Sequence, residues 1–283
     1  MIRLIWLLSG IDCLKKSFDL NSSRHSRVIV ITDRGQEPHF MMIYEAARLA
    51  GWHTPPTTRL DHMGFGVVQG EDGKKFRSSK GDTYKLMDLL NEARNGAYSD
   101  LKSRLDSQNE GKTTNLETEQ EIEESAERIG MAAIKYFDLR QNRTSDYKFE
   151  LKKMLDLKGN TAVYLLYAYV RLCSIIRKSG YTADQLKSLS ISKGFKISHP
   201  HERLLCMFIL KFPETLEQVT DELAINKLCD LLYNISVKVG EGYAKYRILD
   251  DPNTETRILL VEAVRMLMEK IFFLLSIKPI EKI

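Results

Sequence analysis

The sequence predicts an α/β segment followed by an all-helical bundle, and three observations carry that prediction. Val28–Thr32 (VIVIT) is a short apolar run rich in β-branched residues, read as a strand buried on both faces. After the turn Asp33-Arg34-Gly35, the stretch Gln36–Ala50 sets Phe40, Ile43, Ala47 and Ala50 at helical spacing, and Gly51 supplies a stop. Beyond Asn142-Arg143-Thr144 the chain alternates long amphipathic helices with short polar breaks and offers no convincing strand. The expected domains are therefore 1–144 and 145–283.

In order along the chain, residues 1–24 fit no element. Arg3 and the apolar run after it are too short for a signal-peptide core, and nothing approaches a membrane span. The strand, turn and helix of 28–50 form a β-turn-α unit. Ligands of open α/β sheets sit at the carboxyl end of such strands, where Asp33, Gln36 and His39 are the polar groups. Asp33 reads equally as a helix cap and His39 as a half-buried helix residue. Pro55-Pro56 marks a connection, and Leu60–Gln69 reads as a strand pair. Asp72-Gly73 is a turn dipeptide. It leads into Lys74, Lys75, Arg77 and Lys80, with Ser78, Ser79 and Gly81 among them. Small residues let backbone N–H groups approach an anion, and the cations suit a polyphosphate; a solvated basic turn is the alternative.

Thr83–Leu90 reads as a helix and Ser99–Thr114 as a polar, mobile stretch. The helix Glu117–Arg128 looks solvated, with an apolar side only from Ile129 onward. LKGN at 157–160 is a turn with Asn160 as the expected helix cap. The helix Thr161–Lys178 places Val163, Leu166, Val170 and Cys173 on one stripe. Beside that stripe runs another: Tyr164, Tyr167, Arg171, Ser174 and Lys178. On spacing alone this second stripe is core-boundary packing. The alternative is an edge that stacks on bases, at roughly 1–3 kcal/mol each, and neutralises phosphates. Further helices are expected at Glu202–Lys211, Pro213–Ala224 and Asn226–Tyr246. A last one opens at Asp251–Thr254 and buries Ile258, Val261, Val264, Met268, Ile271 and Leu275.

Composition bounds the function. With 283 residues, 43% hydrophobic and 28% charged, the chain is an ordinary globular one, and a net charge of +4 permits nucleic acid without arguing for it. Cys13, Cys173, Cys206 and Cys229 form no C-x-x-C pair; three lie in apolar helical sequence, consistent with a reducing, cytoplasmic compartment. The six histidines give no zinc spacing, and His199-Pro200-His201 reads as a loop between helices.

The ordered segments VITDRGQEPHF, HMGFGVVQGEDGKKFRSSKGDT, AIKYFDLRQNRTSDYKFE, LKGNTAVYLLYAYVRLCSIIRK and LCDLLYNIS, with the ending LSIKPIEKI, resemble arginyl-tRNA synthetase, a class I synthetase. The likeness runs from about Val28 to Ile283. It implies a partial Rossmann-type parallel sheet followed by an all-helical anticodon-binding domain. It places Gln36 at the arginine side chain and His39 near the nucleotide ribose. Lys75–Gly81 falls on the K-M-S-K-S loop, with Lys75 as its first lysine and Ser78 where the second would stand. Lys74, Arg77 and Lys80 are the candidates to replace that charge. Tyr164, Tyr167 and Tyr233 fall on positions that meet the anticodon arm, which moves the tyrosine stripe toward stacking. The implied partners are arginine, ATP with Mg2+, and tRNA(Arg), for a monomer without membrane attachment.

One departure stands out. The H-x-G-H motif and the Y-x-T-x-D-L-A segment of the family are absent, so the chain resembles its C-terminal portion. The expected activity is arginine–tRNA ligation by family, with little or no turnover by this chain alone. The rival expectations are a non-catalytic tRNA-binding module and a helical protein-interaction scaffold.

Overall fold

The computed structural model describes residues 27–70, 85–106, 118–194 and 196–282. These fall into two compact units, one of 27–70 with Arg143–Lys148, the other of 85–142 with 149–282.

In the smaller unit, strand β1 (Arg27–Asp33) pairs in parallel with β2 (Arg59–Phe65), Val28 facing Leu60 and Asp33 facing Phe65. A 3₁₀ turn (Arg34–Gln36) leads from β1 into helix α1 (Glu37–Leu49), which Gly51 ends at φ 74°. Ile43, Tyr44 and Ala47 of α1 are buried against Val28, Val30 and Leu60. Strand neighbours point to opposite faces, so Ile29 and Ile31 lie on the other side, 41% and 61% exposed. The expectation of a strand buried on both faces is thus corrected: among the described residues only one face has a covering layer.

Residues 60–69 do hold two strands, but they do not pair with each other. Strand β3 (Val68–Gln69) pairs in parallel with β4 (Tyr147–Lys148), a strand in a region read as free of them. The crossing is close. A Cβ on Gly66 would stand 2.3 Å from the carbonyl oxygen of Ser145, and the backbone N–H of Gly66 donates to Arg143 O at 2.8 Å.

The larger unit is helical. Helices α2 (Leu86–Asp106) and α3 (Glu119–Leu139) pack together. The stretch read as polar and mobile is helix as far as Asp106, because Ala93, Ala97 and Leu101 make one buried line four residues apart. Likewise the buried side of α3 begins at Ile122, Ser125 and Ala126, ahead of Ile129. Small residues let the two helices meet: a Cβ on Gly130 would come within 2.7 Å of the Arg94 backbone nitrogen.

After the single turn α4 (Leu151–Met154) comes α5 (Ala162–Ser179), the axis of the core. Its cap is Thr161, which accepts from the Tyr164 N–H at 3.2 Å; Asn160, the expected cap, instead accepts from the Tyr136 hydroxyl at 2.6 Å. Helix α6 (Ala183–Lys193) was not expected, although its capping box, Thr182 with Gln185, is plain in sequence. Helix α7 (Pro200–Glu222) runs unbroken through Pro213, where two helices were expected. Its N-cap is His199, so His199-Pro200-His201 begins a helix; it is not a loop. Helices α8 (Asn226–Lys245) and α9 (Thr254–Leu274) complete the unit. Leu165, Leu166, Leu172, Leu232, Ile235, Met268, Ile271 and Phe272 fill the centre. All six apolar positions expected in the last helix region are buried.

Candidate functional site

The carboxyl end of β1 is the first candidate. Asp33 Oδ1 accepts from the Gly35 N–H at 2.8 Å and so caps the 3₁₀ turn. Gln36 is exposed on that turn, ahead of α1, and His39 is half-buried with its ring edge-on to Phe40 at 5.6 Å. Phe40 stacks on its other neighbour, His62 of β2, at 5.2 Å and 16°. The Thr32 hydroxyl lies 2.7 Å from His62 Nε2. Thr32, His39, Phe40 and His62 therefore form one polar–aromatic ladder at the strand end. Sequence reasoning assigned His62 no role; the clue would have been the parallel register that brings β2 beside β1. Gly64, two residues on, is confined, since a Cβ there would meet Arg34 Cα and His62 Cε1, each at 3.1 Å.

The basic-loop residues Lys74, Lys75, Arg77, Ser78, Ser79, Lys80 and Gly81 lie outside the described residues, as does Cys13. Among the described residues no group of three His, Cys, Asp or Glu side chains could hold a metal ion, and no helix is long and apolar enough to cross a membrane.

The second candidate is the outer edge of α5. Packing of α5 against α8 brings Tyr164 and Tyr233 together, ring centroids 6.0 Å apart and tilted 58°. Both rings and Tyr167 are half-buried, and Arg171 is exposed. The rings pack against the helical core at its boundary, with their remaining surface and Arg171 reaching solvent. Burial, and then the neighbouring Tyr233, raise the Tyr164 phenol above its usual range, so it remains a neutral donor at physiological pH. Two residues that were not singled out complete the edge. Arg104 of α2 lies over the Tyr167 ring at 5.1 Å, and Arg171 over the ring of Tyr243 at 5.8 Å. Tyr243 follows Tyr233 by ten residues, about 2.8 helical turns, which sets it roughly 80° around α8 from Tyr233, so spacing gave no signal for it. Rings and guanidinium planes alternate along this edge.

Comparison with known proteins gives consistent matches. A family model described as the catalytic domain of class I tRNA synthetases (R) matches residues 5–151. A second, described as the DALR anticodon binding domain, matches residues 165–283. The first of these begins upstream of Val28, from which the resemblance was read. The chloroplastic/mitochondrial arginine–tRNA ligase of Arabidopsis thaliana is 41% identical over 269 residues, covering 94% of this chain and 40% of the relative. The cytoplasmic enzyme of the same plant is 40% identical over 271 residues, covering 94% and 44%. The arginyl-tRNA synthetase structure from Plasmodium falciparum superposes with a TM-score of 0.78 at 29% identity, over 97% of this chain and 44% of that one. The chain spans less than half the length of these relatives.

Proposed function

The chain belongs to the class I tRNA synthetases of the arginine type, and from that premise we propose that it serves arginine–tRNA ligation, with its helical unit holding the anticodon arm of tRNA(Arg). The Tyr164–Tyr233 ring pair on the outer edge of α5, continued by Tyr167 and Arg171, is the observation that carries this reading. The span matched by the anticodon-binding family includes Tyr167, Arg171 and Tyr233, and Tyr164 adjoins it.

In the proposed division, residues 1–144 serve the chemistry and 145–283 the RNA, to whose edge Arg104 of α2 also contributes. Arginine and ATP give arginyl-adenylate and pyrophosphate; the arginyl group then passes to the terminal ribose of tRNA, releasing AMP. Gln36 offers an amide oxygen to the arginine guanidinium, which has donors only. His39 faces the nucleotide side. Lys75, Arg77 and Lys80 neutralise the triphosphate, with Ser78, Ser79 and Gly81 giving backbone access. Mg2+ enters on the ATP, held largely by phosphate oxygens and water. The compartment is cytoplasmic and the protein a monomer in this reading.

Nitrocellulose filter binding of tRNA(Arg) against a non-cognate tRNA, across a salt series, tests the RNA half. Tyr164→Ala and Tyr233→Ala are each expected to weaken tRNA(Arg) binding by roughly 1–3 kcal/mol. Equal affinity for both tRNAs, unmoved by either substitution, sinks the reading.

A non-catalytic tRNA-binding module is the second reading, and one observation favours it: H-x-G-H occurs nowhere in the 283 residues. Adenylate formation depends on preorganised charge at the α-phosphate. These residues alone are therefore expected to give no arginine-dependent ATP–pyrophosphate exchange with tRNA(Arg) present. Sustained exchange would reject the second reading.

A further inference from the structure

His201 stands in the first turn of α7 at 7% exposure. Its Nε2 lies 2.6 Å from Nζ of Lys245, at the end of α8. An ammonium group has three donors and no acceptor, so the imidazole must present a lone pair there. The proton of the neutral ring then sits on Nδ1, which is buried and has no hydrogen-bond partner among the described residues. The other groups around the ring are few. Glu241 of α8 brings Oε2 to 3.8 Å from the same Nε2, but Lys238 holds that carboxylate at 2.9 Å. His199 stacks on the ring at 5.8 Å, and Glu202 is engaged by Arg257 of α9 at 2.8 Å.

Lys245 also belongs to an open groove of about 530 Å³. Lys178 and Arg247 are its other cations, and Tyr243, Tyr246 and Ile248 are among its lining residues. One of the three cations is thus tied to a titratable ring.

We propose that the His201–Lys245 contact is a proton-operated latch on this groove, which releases Lys245 to a phosphate of bound RNA when His201 takes up a proton. The proton comes from solvent to Nε2, which changes from acceptor to donor. It then turns to Glu241, and the ammonium of Lys245, repelled by the imidazolium, is free. Burial and then Lys245 hold the His201 pKa below its ordinary value, so the latch is closed at neutral pH and opens as the medium becomes acidic. The ligand rests on the tRNA-binding reading above; the ring chemistry does not.

Two measurements on the full chain separate these. Long-range ¹⁵N NMR from about pH 8 to about pH 5.5 reads the His201 ring nitrogens directly. Nδ1 is expected to carry the proton at the alkaline end, and Lys245→Met is expected to move the His201 midpoint upward. A proton on Nε2, or an unmoved midpoint in Lys245→Met, overturns the latch whatever the RNA does. Binding of a tRNA(Arg) transcript at fixed ionic strength is the other readout. His201→Gln keeps an acceptor for Lys245 but cannot be protonated. Acidification is expected to strengthen binding roughly threefold to tenfold more in the natural chain than in this variant. The salt slope should steepen by about 0.7–0.9, the signature of one added phosphate contact. Equal pH slopes in the two proteins overturn the link between latch and groove. Absence of tRNA binding at every pH overturns the RNA reading, while the ring nitrogens still decide the latch.

Discussion

Glu202 and Arg257 meet 55 residues apart in sequence, 2% and 8% exposed, with Nε and Oε1 at 2.8 Å. Glu202 also accepts from the backbone N–H groups of Ser198 at 2.7 Å and His199 at 3.0 Å, capping α7. Arg257 bonds in addition to Asp251 at 2.9 Å. Burial by itself would raise the Glu202 pKa; the bonds from Arg257, Ser198 and His199 outweigh it and hold the carboxyl below its ordinary value. The folded value is therefore the lower one. The stabilisation is complete above the ordinary glutamate range and is lost as pH falls through the folded value. Removing Arg257 leaves a buried, part-compensated carboxylate. Arg257→Met is expected to cost about 3–5 kcal/mol in urea unfolding at neutral pH, and the cost should shrink toward acid as Glu202 protonates. A pH-independent loss would mean the guanidinium acts by packing alone. Sequence showed Glu202 opening a helix but could not show its partner. Ion pairs between distant segments leave no periodic trace.

Pro213 shows how an element can override its own local rule. A proline inside a helix removes one hydrogen bond and crowds the carbonyl four residues back, which is why a break was read there. Helix α7 nevertheless continues for nine residues past it. Leu205 before the proline and Leu216 and Val219 after it all pack on one core, so the two halves share a common buried side. Packing against α8 and α9 holds the helix straight enough to continue. Pro213→Ala restores the missing donor without changing that side and is expected to stabilise the chain by roughly 1–3 kcal/mol. A lowered unfolding midpoint would show that the proline geometry is required. The same contrast explains some of the other element errors. Periodic apolar lines were legible in α5 and α9. The diversion of Asn160 to Tyr136 and the pairing of β3 with β4 depended on partners that no local window contains, whereas the length of α2 and the caps at Thr161 and Thr182 were written in local spacing.

At the scale of the molecule, the two units differ in what holds them. Ile43, Tyr44 and Ala47 are the buried centre of the smaller one, whereas the larger encloses a continuous core drawn from α2, α3, α5, α7, α8 and α9. Local opening is easiest where few apolar contacts must be broken. In hydrogen exchange followed by mass spectrometry, the amides of β1, β2 and α1 are expected to exchange well before those of α5, α8 and α9. Equal protection across both units would contradict this ordering. The α/β-then-helical order was legible because a short β-branched apolar run at Val28–Thr32 gives way to repeated apolar positions at helical spacing. The tyrosine edge was legible as a pattern, and only the crossing of α5 with α8 paired Tyr164 with Tyr233. His62 escaped notice because its neighbours, Thr32 and Phe40, reach it only through the sheet and α1.

The side of β1 without a covering layer among the described residues bears on how the chain behaves in solution. Alternation along the strand assigns Val28 and Val30 to the packed interior, and Ile29 and Ile31, 41% and 61% exposed, have no covering layer among the described residues. Lysine or threonine at those two places would change wetting, and with it the concentration a sample tolerates, while the methyl groups beneath α1 stay as they are.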